Sequence, residues 1–408
     1  MTIRDNATDL DQDLVRLRRE IHAEPEIGLH LPRTQEKILT ALKGLPLEIT
    51  LGKTLTSVTA VLRGGLPGPT VLLRGDMDAL PITELTGLDY ASRIDGAMHA
   101  CGHDLHTAML VGAARLLSER QESLRGNVIF MFQPGEEGYD GAGHMIREGV
   151  LDAAGRRADA AYGMHVFSSL EPYGQFATKP GVMLSASDGL FITVLGAGGH
   201  GSAPHAAKDP VTAAAEMVTA LQVMITRQFN MFDPVVLTVG VLHAGTTRNV
   251  IPESARIEAT VRTFSHASRE RMMSAVPVLL KGIAHAHGLE VDVEYRGEYP
   301  LSITDENETL TAEKTIQNLF GESRLTRWAT PLSGSEDFSR VMAEVPGTFI
   351  GLSAVAPDAD HTEAAFNHSP YATFDDGVLA DGAALYAELA IARIAALAYA
   401  GNPTSLAS

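Results

Sequence analysis

Cys101 is the only cysteine in a chain of 408 residues. One thiol permits no intrachain disulfide and points to a reducing, cytoplasmic setting. It also excludes a zinc finger or a redox C-x-x-C, each of which needs a second cysteine nearby. No apolar run approaches the ~18 residues of a membrane span. The first ten residues lack the hydrophobic core of a secretory signal. Basic residues are few as well: 32 Lys and Arg against 50 Asp and Glu leave a net charge of −18. Binding to phosphate backbones needs clustered Lys and Arg, so the balance argues against a nucleic-acid partner. The acidic residues are spread along the chain, as on a solvated surface. There is no internal repeat and no low-complexity tract.

What is present is a large apolar fraction, 45% of residues, enough for a sizeable core. The length exceeds what one ordinary core organises, so two domains are expected. The densest chemistry lies in His99-Ala100-Cys101-Gly102-His103-Asp104-Leu105-His106. Side chains two apart in an extended segment point the same way, so Cys101 and His103 can reach one metal ion together. Gly102 lets the backbone turn tightly around that ion. A lone cysteine is ordinarily a buried structural thiol, but the polar density here favours a metal site.

The spacing predicts an amphipathic helix over Asp9–His22 and a second helix over Thr34–Leu42, with Thr34 as its N-cap. Val58–Leu62 and Thr70–Arg74 read as buried strands. The second empties into Gly75-Asp76-Met77-Asp78-Ala79-Leu80-Pro81. Carboxylates at the C-terminal end of a strand lie where open α/β sheets bind ligands; an Asp-rich turn is the other reading. A helix follows over Thr107–Gln121, then a strand over Asn127–Phe132 that empties into Gln133-Pro134-Gly135-Glu136-Glu137-Gly138. One of these paired acids can bind a metal while its neighbour holds a water; the plainer reading is a solvated acidic loop. A strand over Ala158–Val166 carries His165, either a core histidine or a ligand.

From Gly189 the pattern changes to strand 190–195, helix 210–227, strands 235–242 and 255–263, helix 268–287 and strand 290–295. That is β-α-β-β-α-β, the split ferredoxin-like unit, inserted into the first domain. Its glycine-rich opening, 196–205, lacks the G-K-[ST] of a phosphate loop. His285 and His287 read as surface residues. The chain then returns to the first domain. A helix is expected over Thr304–Phe320 with Thr304 as N-cap. Another opens at Ser333-Gly334-Ser335-Glu336-Asp337-Phe338, then come a strand over Pro346–Leu352 and a long helix from Asp375 to about Ala400. The fold expected is therefore α/β, a mixed sheet with helices on both faces, over 1–185 and 298–408, with an inserted α+β domain over 186–297.

Cys101, His103, Glu137, His165 and His368 thus fall at sheet edges, with Asp76, Asp78 and Glu136 nearby. Mixed sulfur, nitrogen and oxygen ligation suits zinc, manganese, cobalt or nickel better than magnesium or calcium. The ligands outnumber what one four-coordinate ion needs, which points to two divalent ions.

At this point the sequence resembles the aminoacylase/carboxypeptidase-type metallopeptidases, in the branch holding hippurate hydrolase and the indoleacetyl-amino-acid amidohydrolases. The words that carry the resemblance are Gly75–Pro81, Met98–His106, Gln133–Gly138, Gly163–His165, Gly199–His205, Asn249–Pro252 and Asn367–Pro370, in family order over nearly the whole chain. A mild departure is Leu29-His30-Leu31-Pro32, where many relatives carry an acidic residue. The resemblance implies that Cys101, His103, Glu137, His165 and His368 bind the two metals, manganese or zinc with cobalt or nickel as further candidates. It implies that Glu136 is the general base; Asp78 is then expected to hold a ligand imidazole in the right tautomer. His200, on a lid formed by the inserted domain, would polarise the scissile carbonyl, often across a dimer. Asn249 and Arg262 would touch the substrate's backbone or carboxylate. The activity implied is hydrolysis of N-acyl amino acids. The alternatives are a dipeptidase or C-terminal exopeptidase on the same site, and a catalytically silent metal-bound protein. A homodimer or larger homo-oligomer through the lid is expected, with hinges near Gly181–Ser187 and Tyr295–Ser302.

Overall fold

The computed structural model describes residues 2–400. The chain forms two compact units. The first comprises the residues up to Met183, Ile303–Thr330 and those from Asp337 on; the second comprises Leu184–Ser302 and Pro331–Glu336. The second unit is therefore somewhat longer than the expected insertion over 186–297 and recruits a short later segment.

The first unit is built on an eight-stranded mixed sheet. Its order is Leu47–Leu51, Val58–Arg63, Arg125–Gln133, Leu66–Asp76, Ala160–Phe167, Gly347–Ser353, Phe176–Thr178 and Leu325–Arg327. The four strands in the middle, 125–133, 66–76, 160–167 and 347–353, run parallel to one another. Their sequences are continuous apolar runs because both faces are covered; every residue of Gly347–Ser353 is buried. The helix His103–Ser118 lies almost wholly inside the protein and packs against Leu66–Asp76 together with the last helix, Leu379–Ala400. All four parallel strands point the same way, so the turns after Asp76, Gln133 and Phe167 gather at one edge of the sheet.

The second unit has its own core around Leu190, Ile192, Met217, Ile257, Val276 and Leu280. Four antiparallel strands run in the order Val235–Ala244, Ser254–Thr263, Ala186–Leu195, Glu290–Tyr299. Burial alternates along Ser254–Thr263, as expected of a sheet with one face toward a core. The helices Pro210–Gln228 and His266–Ala286 join these strands in that core, capped by the side chains of Asp209 and Ser265.

Several local expectations change. The expected amphipathic helix is Asp11–His22, and a further helix not read from the sequence, Ile3–Asp9, precedes it at Leu10. Thr34 is not an N-cap, because the helix begins at Pro32 and Thr34 bonds Glu26 through its amide and hydroxyl. Thr304 closes a short strand, and Asp305 caps the following helix by accepting from the amides of Asn307 and Glu308. No helix opens at Ser333–Phe338. The helix there is Ser339–Glu344, and the Asp337 carboxylate accepts instead from Arg74, Gln133 and the Ala142 amide.

Candidate metal centre

The site starts from the turn after Gln133. The amides of Glu136 and Glu137 donate to the two oxygens of Asp78, at 3.0 and 3.1 Å. A buried carboxylate at the end of one central strand thus shapes the acidic turn at the end of its neighbour. Asp78 Oδ1 also lies 3.5 Å from His103 Nδ1. Beyond the imidazole-holding role expected of it, Asp78 thus fixes the acidic turn.

Cys101 and His103 flank Gly102, whose φ of +80° puts it in the left-handed region. A Cβ at that position would meet Val166 Cγ2 at 2.3 Å. The loop can therefore lie against the strand that carries His165 only if residue 102 is glycine. Cys101 Sγ is 3.3 Å from His165 Nε2 and 3.3 Å from His368 Nε2. His368 Nε2 is 3.2 Å from Glu137 Oε1. Two triads result, Cys101/His103/His165 and Cys101/Glu137/His368, each with its donor atoms within 4.8 Å of one another. They share the thiol. Glu136 lies beside them, within the same distance of His103 and Glu137.

The donors fit a cation. His103 is fully buried, and its ring nitrogens have only the carboxylates of Asp78 and Asp76, each at 3.5 Å, beyond good hydrogen-bond geometry. Leaving such groups unpaired is costly unless something else binds them. His165 donates from Nδ1 to the Val166 carbonyl at 2.8 Å, which leaves Nε2 as an acceptor facing the thiol. Burial and the neighbouring His106 hold His165 well below the usual histidine range, so it stays neutral. Hydrogen bonds donated by the His368 ring to Cys101 and Glu137 push its pKa up to about 10.

A third cluster, Asp76/His103/His106, is of a different kind. His106 Nδ1 bonds Asp76 at 2.5 Å and its Nε2 accepts the Val166 amide at 2.7 Å, so both nitrogens are spent. Arg74, fully buried, bonds Asp76, Gln133 and Asp337. Burial would raise the Asp76 carboxyl, but the Arg74 guanidinium and the two imidazoles hold it well below the ordinary range. This cluster braces the strand ends.

Residues with no role assigned from sequence complete the support. Asn367 donates to the carbonyls of Cys101 and Val166, at 3.3 and 3.0 Å, and accepts from the Ser168 amide at 3.0 Å. It ties together the segments that carry three ligands. His368 follows it at a φ of +72°, a strained value for histidine that the Asn367 ties and the bond from its own amide to the Ala100 carbonyl maintain. Asp104, next to His103, is held by Arg18 Nε at 2.7 Å and His22 Nδ1 at 2.8 Å, all three buried.

His200, Asn249 and Arg262 belong to the second unit. His200 and Val250 face each other across a two-residue ladder, and His200 and Asn249 are exposed. The Ser202 amide donates to His200 Nδ1 at 3.1 Å, so the ring proton resides on Nε2. Arg262 is half-buried and donates to the Ser187 hydroxyl. Burial draws its guanidinium below the usual value, against the carboxylates of Glu298 and Asp188.

The model of peptidase family M20/M25/M40 matches residues 72–392. The chain belongs to this family. It is 33% identical over 395 residues to thermostable carboxypeptidase 1 of Saccharolobus solfataricus, covering 95% of this chain and 97% of that one. It is 34% identical over 389 residues to the hippurate hydrolase of Campylobacter jejuni, covering 94% and 97%. Among solved structures, a dinuclear metal binding peptidase of Bacillus subtilis superposes with a TM-score of 0.80 at 31% identity, covering 95% of this chain and 99% of that one. The M20 chain described here is a hydrolase with an α/β metal-binding unit and a separate antiparallel unit. Among the described residues, no helix is long and apolar enough to cross a membrane.

Proposed function

We propose that the protein is a metal-dependent amidohydrolase that splits N-acyl amino acids into a carboxylic acid and a free amino acid. The observation that carries this reading is the pair of donor triads sharing Cys101 Sγ, with Glu136 beside them. Cys101, His103 and His165 would hold one ion; Cys101, Glu137 and His368 would hold the other. Manganese or zinc suits the mixed donor set, with cobalt or nickel as further candidates. When bound, such ions supply Lewis acidity, lowering the pKa of a water from ~15.7 toward ~7 and drawing charge from the carbonyl oxygen.

The chain's own groups do the rest. Glu136 accepts a proton from the attacking water, whose oxygen bonds to the acyl carbon. The C–N bond then breaks, and Glu136 returns the proton to the departing nitrogen. Asp78 holds Glu136 and Glu137 in register through their amides. His200, with its proton on Nε2, donates to the developing oxyanion. Asn249 and Arg262 hold the substrate's backbone or carboxylate, Arg262 by exchanging its Ser187 partner. The second unit, with its split ferredoxin-like order, serves as lid and as the pairing surface of a homodimer.

A panel of benzoyl-, acetyl-, indoleacetyl- and aminoacyl-amino acids, assayed with added manganese or zinc, tests the reading. Acylated substrates should release free amino acid, and chelation should abolish the release. Cleavage confined to substrates with a free α-amine would make the protein a dipeptidase or exopeptidase, the reading that similarity to a carboxypeptidase supports second.

A further inference from the structure

The second unit holds a carboxylate beside Arg262 that the chemistry above does not use. Arg262, on the strand Ser254–Thr263, sits directly opposite Ser187 on Ala186–Leu195. The Ser187 hydroxyl, 3% exposed, accepts from the guanidinium and gives its own proton to Glu298 at 2.7 Å. A hydroxyl has one proton. With that proton committed to Glu298, the lone pairs are left for Arg262, and each bond polarises the other.

The backbone puts Glu298 there. Along Glu290–Tyr299 the register passes from Gly297 opposite Asp188 to Tyr299 opposite Ser187, which leaves Glu298 as the extra residue of a β-bulge. Bulges re-aim the side chain they carry. Room for this one comes from Gly189, where a Cβ would lie 3.1 Å from Glu298 Oε1 and 2.8 Å from the Phe191 ring. The neighbouring acid, Asp188, is buried and already committed. Arg269 Nε donates to both of its oxygens at 3.1 Å, and the Tyr295 hydroxyl donates at 3.1 Å. Glu298, by contrast, is exposed.

A carboxylate that reaches Arg262 must displace Ser187, and the negative charge behind Ser187 stays in place. Glu298 and Arg262 bond the same oxygen, so their charges lie about 5 Å apart. On an acidic amino acid the side-chain carboxylate is close to the α-carboxylate. A substrate held at Arg262 therefore brings any second carboxylate inside the ~8 Å screening length around Glu298, where like charges repel. We infer that Glu298 is a specificity-determining residue, an internal counter-charge that competes for Arg262 through Ser187 and selects N-acyl amino acids with a single carboxylate over acyl-aspartate and acyl-glutamate. This rests on the amidohydrolase reading above, in which Arg262 holds the substrate's carboxylate.

The test compares kcat and KM for acetylglutamine and acetylglutamate, which differ by one charge. The proteins are the wild type, Glu298→Gln, Arg262→Met and the double variant, all loaded with manganese. Binding of the released amino acids, glutamine and glutamate, is measured alongside by calorimetry. The wild type should favour acetylglutamine. Glu298→Gln keeps an acceptor for Ser187 and removes the charge. It should lower KM for both substrates with little change in kcat. It should also narrow the glutamine-to-glutamate ratio of kcat/KM by about five-fold, as loss of one exposed charge would, and narrow the binding ratio similarly. In the Arg262→Met background the same change should leave KM where it was. If either KM or the ratio stays at its wild-type value in Glu298→Gln, the inference is overturned. So it is if the fall in KM persists in the double variant, since the effect would not run through Arg262. A wild-type KM in Arg262→Met removes the carboxylate role on which the inference stands. A wild type that cleaves none of the acylated amino acids overturns the amidohydrolase reading, and this inference with it.

Discussion

Cys101 sits where both triads meet, and its surroundings decide what kind of thiol it is. It is 7% exposed, with the Nε2 atoms of His165 and His368 each 3.3 Å from the sulfur. A thiolate shared between cations is a poor attacking group, so under the proposed function its role is to bind metal. Cys101→Ser should lose metal and activity together, as elemental analysis of the purified variant would show. A variant with full metal content and no activity would contradict the ligand role. The sequence already exposes this residue through its spacing to His103. It does not expose why residue 102 must be glycine, since the obstruction is Val166, in another strand. Arg18 and His22 give a fainter signal. They fall at helical spacing on the same face as Leu14, Leu17 and Ile21, an unusual place for charge. Their partner Asp104 is 86 residues from Arg18, and only folding reveals it.

Among elements, the strand ends are the most legible part of the site. Continuous apolar runs emptying into Asp76, Asp78, Glu136 and Glu137 announce buried parallel strands whose C-terminal turns carry chemistry. The inserted β-α-β-β-α-β order is equally readable, because helical and strand periods alternate cleanly there. The helix expected at Ser333–Phe338 fails for a physical reason: acidic residues resemble a helix start, but Asp337 is committed to Arg74 and Gln133. Asn367 is illegible because its bonds to Cys101 and Val166 span 266 and 201 residues. Removing it would leave the buried Ser168 amide unpaired, at a cost of roughly 1–3 kcal/mol. It would also free the Cys101, His165 and His368 segments from one another. Asn367→Ala is therefore expected to lower Tm and to weaken metal affinity, the latter read by titration against a chelator. Unchanged metal affinity alongside a lower Tm would reduce Asn367 to a stabilising residue with no hold on the ligands.

At the scale of the whole molecule, the proposed metal ligands lie in one compact unit and His200, Asn249 and Arg262 in another. Under the proposed mechanism His200 reaches the substrate from the lid of its own chain or from that of a partner. His200→Ala should keep its metal and lose ~10²–10³ in turnover, the usual cost of one oxyanion donor. A normal turnover number would remove His200 from the mechanism. Mixing His200→Ala with Glu136→Gln should restore activity if the histidine acts across a dimer, because one mixed site would then carry both intact residues. No recovery in a confirmed mixed dimer would place His200 within its own chain.

The central claim is that Glu136 moves the proton while Glu137 holds a metal. The most direct measurement is the hydrolysis rate of an acylated amino acid by Glu136→Gln and by Glu137→Gln, with the metal content of each counted at saturating manganese. Glu136→Gln keeps the shape of the turn but cannot accept a proton. It should retain both ions and slow by at least ~10²–10⁴. Glu137→Gln should bind metal weakly and regain part of its rate as metal is added. A wild-type rate in Glu136→Gln, together with a Glu137→Gln that is fully loaded yet inactive, would contradict the account by reversing the two carboxylates.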